Sequence, residues 1–164
     1  MTRLGLLAGA ALVLGACAAR QPEPLTIAEI NVGADLAAVG SRDAIAYWQG
    51  LDEDLETAIA SEFVGRIDPG GKTVNVDVDE LTLANALNAG LAPEDARLAG
   101  RVEVLNRDGT QAALYDVTAS TREAQTYLPP GTNVTTIPPS SAEFYRAVVQ
   151  AFARGTAELV AGGG

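Results

Sequence analysis

The sequence predicts an α+β domain: an antiparallel or mixed sheet of about four strands with two helices packed on one face, in the order β-α-β-β-β-α. Three observations carry this expectation. Lys72 to Leu83 alternates, with Val74, Val76 and Val78 on one side and Asn75, Asp77 and Asp79 on the other, the mark of a strand with one buried face. Asn106-Arg-Asp-Gly109 stands between two more alternating runs, as in a β-hairpin. Two further segments repeat apolar residues at spacings of three and four, as amphipathic helices do. Helices laid over one face of a sheet would bury both apolar stripes.

The elements follow in order. Leu25 to Val32 alternates apolar with small or polar residues and reads as the first strand. Ala44 to Trp48 reads either as a short strand or as the approach to a helix, with Tyr47 and Trp48 as core or helix-docking residues. From Leu51 to Ile67 the pattern is helical, and Asp52, Glu53, Asp54 and Glu56 crowd the first turns, where the helix dipole favours anions. Asp68-Pro-Gly-Gly71 stops that helix. Lys72 to Leu83 is the second strand, and Ala84 to Arg97 a polar connection. Leu98 to Asn106 and Ala112 to Arg122 are the strands of the hairpin. Tyr127 to Ser141 holds two Pro-Pro pairs and reads as a long loop. The last helix carries Phe144, Val148, Ala151, Phe152 and Leu159 on one stripe. Ser140 and Glu143 stand at capping-box spacing ahead of it, with Ile137 near the entry.

Composition limits the function. The chain has 21 acidic against 11 basic residues, no histidine, a net charge of −10 and a single cysteine, Cys17. That charge repels phosphate backbones, so nucleic-acid binding is not expected. Without histidine or a second thiol, Ser-His and Cys-His catalysis and zinc sites cannot be assembled. Lys72, the only lysine, sits at a turn rather than in the apolar burial that would lower its pKa. The expectation is therefore a non-enzyme with no cofactor. Gly70-Gly-Lys-Thr73 looks like a piece of a phosphate loop, but Arg66 occupies the position of the first glycine and a strand follows in place of a helix. Asn75, Asp77 and Asp79 lie almost 7 Å apart in steps of two along a strand, at ~3.4 Å per residue. That spacing suits a solvated face, paired with Arg101 of a neighbouring strand, better than a calcium site.

Leu4 to Ala16 is an uncharged apolar run of 13 residues, shorter than the ~20 needed to span a bilayer. It follows Arg3 and ends in Leu14-Gly15-Ala16-Cys17, which resembles the bacterial lipobox. The resemblance implies that the Cys17 thiol receives a diacylglycerol, that residues 1–16 are removed, and that the new amine takes an acyl chain such as palmitate. Residues 17–24 then form a lipidated tether and residues 25–161 a single periplasmic domain. Ala18, a residue other than aspartate after the cysteine, implies the outer membrane under the sorting rule known from enteric bacteria.

Tyr47-Trp-Gln-Gly-Leu-Asp-Glu-Asp-Leu55 leading into a helix, the later hairpin, and the final helix around Phe144-Tyr-Arg-Ala-Val-Val149 resemble the auxiliary lipoproteins of ABC-type envelope transport systems. That resemblance implies a lipid-anchored, periplasm-facing accessory to a transport or assembly complex. The candidate partner contacts are Asn75, Asp77 and Asp79 on the polar strand face, and Pro129, Pro130, Pro138 and Pro139 in the Pro-rich loop. Stiff, extended Pro-Pro segments lose little entropy on contact. A second expectation, of another class, is a carrier for a small apolar ligand held between sheet and helices.

Overall fold

The computed structural model describes residues 25–34, 48–82, 96–132, 137 and 141–163. Seven elements follow one another: β1 (Ile27–Ala34), α1 (Leu51–Glu62), β2 (Lys72–Thr82), β3 (Arg97–Leu105), β4 (Gln111–Ser120), α2 (Thr121–Gln125) and α3 (Ala142–Gly162). The strands form one sheet in the order β1-β2-β3-β4. β1 and β2 are parallel, joined through α1, while β2–β3 and β3–β4 are antiparallel. The fold is thus the expected α+β arrangement on a mixed sheet, with one short helix more than the pattern predicts.

Alternation along the strands decides which face is covered. Val74, Val76 and Val78 of β2, Leu98, Val102 and Val104 of β3, and Val117 and Ala119 of β4 are all buried on the helix side. Against them stand Leu51, Leu55, Ile59 and Phe63 from α1 and its C-terminal turn. Phe144, Val148 and Phe152 supply the α3 contribution. Trp48, one turn ahead of α1, is buried and meets the Tyr145 ring edge-on, with centroids 4.7 Å apart. Tyr47 lies outside the described residues. The two long helices lie side by side and point the same way. Tyr145 Oη donates to Asp54 near the start of both, and Arg154 Nη1 pairs with Glu62 at the end of α1, at 3.1 Å.

Local chemistry sets the boundaries. α1 stops at Glu62 because Gly65 takes φ 78°, a conformation favoured only by residues without a Cβ. Ile67 consequently leaves the helix and forms a parallel bridge with Ile27. Asp68–Gly71 is a tight turn: the Gly71 N–H donates to Asp68 O (2.8 Å) and the Gly70 N–H to Asp68 Oδ1 (2.7 Å). The Gly-Gly-Lys-Thr sequence therefore serves strand entry, as expected. At the hairpin, the Gly109 N–H donates to Asn106 O (2.9 Å) and Gly109 takes φ 81°. A turn followed by a left-handed residue is the standard closure of a three-residue loop. Asp108 accepts from the Thr110 N–H and hydroxyl, and these bonds hold its carboxyl below the usual range.

The strand expected to run to Arg122 ends instead at Ser120, whose hydroxyl accepts from the Arg122 N–H. The Glu123 carboxylate accepts from the Ser120 N–H (2.9 Å) and hydroxyl, completing a capping box for α2. At α3 the cap is Ser141, whose hydroxyl accepts from the Phe144 N–H, and not Ser140. Leu159, placed on the apolar stripe by sequence, is 40% exposed, and Thr156, Ala157 and Val160 are buried in its stead.

Thr156 is fully buried and its hydroxyl makes no hydrogen bond. A hydroxyl removed from water without a partner costs about 1–3 kcal/mol. Thr156→Val keeps the shape and deletes the unpaired group, so it is expected to raise stability by about 1 kcal/mol. Chemical denaturation would read this as a higher midpoint at unchanged slope. A lower midpoint would show that the hydroxyl has a partner in solution.

Candidate functional site

The face of the sheet away from the helices is open, and pairing register lays its side chains in cross-strand rows. One row is Asn31, Asn75, Glu103 and Leu114, and the next is Gly33, Asp77, Arg101 and Asp116. In the first, Asn31 Nδ2 donates to Asn75 Oδ1 (3.1 Å) and Asn75 Nδ2 to Glu103 Oε2 (3.4 Å). This amide–amide–carboxylate ladder crosses three strands and fixes the direction in which each side chain presents its polar atoms. In the second row Arg101 Nε pairs with Asp116 across β4, at 3.8 Å. The sequence places Arg101 opposite the β2 carboxylates. Register does put Asp77 there, but the ion pair goes to the other neighbour.

A bulge between Val78 and Glu80 releases Asp79 from pairing and leaves it exposed. Beyond it, Arg97 Nε meets Glu80 Oε1 at 2.9 Å. The open face thus carries Glu29, Asp77, Asp79, Glu80, Glu103 and Asp116 against Arg97 and Arg101. Exposed pairs of this kind contribute about 0–1 kcal/mol each, so they shape the potential of the face more than its stability. The outward field of the face is negative.

The residues predicted as contacts therefore divide. Asn75, Asp77 and Asp79 lie together on the open face. Pro129 and Pro130 are exposed just after α2, in a turn where the Thr132 N–H donates to Pro129 O (3.0 Å) and Gln125 Nε2 to Thr132 O (2.9 Å). Cys17, Pro138 and Pro139 lie outside the described residues. Sequence reasoning missed Asn31 and Glu103, because a polar ladder across three strands is visible only once register is known.

A cleft of about 620 Å³ opens on the solvent side between α1 and α3, lined among others by Asp54, Thr57, Ser61, Tyr145, Arg146 and Gln150. Burial, and then the hydrogen bond to Asp54, push the Tyr145 phenol far above its ordinary pKa. It remains a neutral donor, joining the two helices rather than acting as a base. Among the described residues no group of three or more carboxylates converges to hold a metal ion. None of their helices is long and apolar enough to cross a membrane.

Fold and face together define a single-layer sheet domain, roofed by helices on one side and polar on the other. No family model matches the chain, and no curated protein matches it. Among solved structures it is similar to the dodecamer of a single-residue variant of PelC from Paraburkholderia phytofirmans, at 10% identity and TM-score 0.39, over 78% of this chain and 86% of that one. It is also similar to a protein of Caulobacter crescentus CB15, provisionally described as a lipoprotein. That match has 14% identity and TM-score 0.39, over 81% of this chain and 88% of the other. Likeness at this level carries no inference about this chain.

Proposed function

We propose that the chain is a non-catalytic, lipid-anchored envelope module that holds a partner protein, as an accessory to a transport or assembly complex at the outer membrane. Its anchor is Cys17. The observation that carries the binding half of this reading is the open sheet face, with its ordered Asn31–Asn75–Glu103 ladder and excess of carboxylates. A four-stranded sheet covered on one side only presents a broad open face, and a negative one is complementary to a partner surface bearing arginine and lysine. The Pro129–Pro130 turn offers a second, smaller contact at the α2 end.

The packing supports this reading over ligand carriage. Side chains lining a cavity wide enough for an acyl chain keep exposed surface within it. Leu55, Ile59, Val74, Val102 and Phe152, where helices meet sheet, keep none.

Photo-crosslinking in cells tests the proposal. A benzophenone amino acid replacing Leu114, exposed on the open face, is expected to yield one discrete adduct. Charge reversal by Asp77→Arg with Asp116→Arg is expected to abolish it. Adducts formed only from a probe at Pro130 would move the contact to the loop. Their absence from both positions, with a control complex crosslinking well, would refute the partner-binding reading.

A further inference from the structure

One end of the domain differs from the rest of the surface. Ile27 pairs with Lys72 on one side and bridges Ile67 on the other. Thr73 faces Leu105, and Leu105 faces Gln111. The start of β1, the turn from Phe63 to Gly71 and the tip of the β3–β4 hairpin therefore share this end. Arg107 closes the group: its Nη1 would lie 3.7 Å from a Cβ placed on Gly70.

Two properties converge there. Val64 and Ile67 are 80% and 55% exposed, the highest values among the exposed large hydrophobic residues described, and they sit three residues apart in one turn. Arg66, Lys72 and Arg107 share that end, in a chain whose net charge is −10. Arg66 folds over the Phe63 ring, at 5.1 Å, and donates to Glu62 O, which keeps its guanidinium at the end of α1. The carboxylates of Asp68 and Asp108 accept from Gly70 and Thr110 within their own turns, bonds that position them without removing their charge, so residues 63–72 and 106–109 carry three cations against two carboxylates. Single exposed aliphatic residues are ordinary on protein surfaces. An exposed aliphatic pair at an end with more cations than carboxylates, on an acidic protein, has the composition of a bilayer-interface contact.

The chain itself says which surface lies opposite. Cys17 to Leu25 spans at most ~29 Å when fully extended, at ~3.6 Å per residue, and it enters the domain beside Ile27. We propose that this end seats directly on the membrane. Val64 and Ile67 enter the boundary between headgroups and acyl chains, and Arg66, Lys72 and Arg107 lie against lipid phosphates. This rests on the anchor reading for where the membrane stands. The carboxylates elsewhere are repelled by the same phosphates, so the contact also orients the domain and turns the open sheet face sideways to the bilayer.

Hydrogen exchange tests the seat independently of the cell's own lipidation. The chain from Cys17 onward, coupled through its one thiol to a maleimide-headgroup lipid, is placed in nanodiscs of phosphatidylethanolamine and phosphatidylglycerol. Exchange over residues 63–72 and 106–109 is expected to slow several-fold relative to the uncoupled chain, with residues 114–118 unchanged. Val64→Asp with Ile67→Asp, at exposed positions, is expected to erase the protection with the near-ultraviolet circular dichroism unaltered. No protection at 63–72, or equal protection in concentrated protein without lipid, overturns the proposal. The mass of the N-terminal peptide isolated from cells reports separately whether Cys17 carries lipid, so a failed anchor and a failed seat give different results.

Discussion

Phe152→Ala is expected to cost about 3–5 kcal/mol, the range for removing a buried aromatic ring from a packed core. Phe152 has no exposed surface and sits mid-way along α3, the helix that packs on β3, β4, α1 and α2. Native domains are stable by about 5–15 kcal/mol in total, so the variant would stand near its unfolding threshold. Urea denaturation followed by tryptophan fluorescence would read the change, since Trp48 is the only tryptophan and is buried beside Tyr145. A loss under about 1.5 kcal/mol, the size of a volume-conserving swap, would mean that α3 is not docked as described.

Cys17→Ser, exported behind a signal cleaved by an ordinary signal peptidase, is expected to shift the protein from the membrane fraction to the soluble periplasmic fraction. The parent chain should sediment with membranes and require detergent for release. Each acyl methylene buried in a bilayer contributes about 0.8 kcal/mol, and two or more chains hold stably where one does not. A serine hydroxyl cannot form the thioether that carries them. The aliphatic pair at Val64 and Ile67 is too small to replace that hold, so residual membrane association should be weak and sensitive to salt. A parent chain that washes off with salt, or a serine variant that sediments as firmly as the parent, would contradict the anchor.

The strands were legible wherever burial is one-sided. Lys72 to Leu83 reads correctly to within one residue because three valines alternate with three polar groups, and the hairpin because Asp108-Gly109 supplies a left-handed position where the strands need it. Errors arose where one local pattern overlaps another. Phe63 and Ile67 continue the spacing of α1, yet Gly65 breaks the backbone and Ile67 becomes a bridge partner. Val117 and Ala119 extend an alternation through Thr121, and this masks the Ser120–Glu123 capping box of a five-residue helix. Ser140 has the right spacing to Glu143, but Ser141 has the backbone geometry, and spacing alone does not distinguish adjacent serines.

Leu159 follows Phe152 by seven residues, as a fixed stripe would require. The buried row runs in fours, through Phe144, Val148, Phe152, Thr156 and Val160, and each step of four advances about 40° around a helix of 3.6 residues per turn. The candidate face was half legible. Asn75, Asp77 and Asp79 share a side by alternation alone, with Arg101 expected opposite them, whereas Asn31, Glu103 and Asp116 join them only through the register of three strand pairs. Nothing in local sequence distinguishes Val64 and Ile67 from core residues; their exposure follows from where α1 ends.

The way β1 is fastened has a mechanical consequence. The Lys72 N–H donates to Thr26 O, the Ile27 N–H to Arg66 O, and the Asp68 N–H to Ile27 O, each at 2.9 Å. The strand is gripped on both edges at the point where the chain enters, and it runs parallel to β2 from there. A pull on the chain ahead of Leu25, directed along β1, loads these bonds and the ladder behind them together, in shear, instead of peeling them one by one. In the proposed setting, tension between an anchored N-terminus and a bound partner would be shared across the sheet at the residue where it arrives.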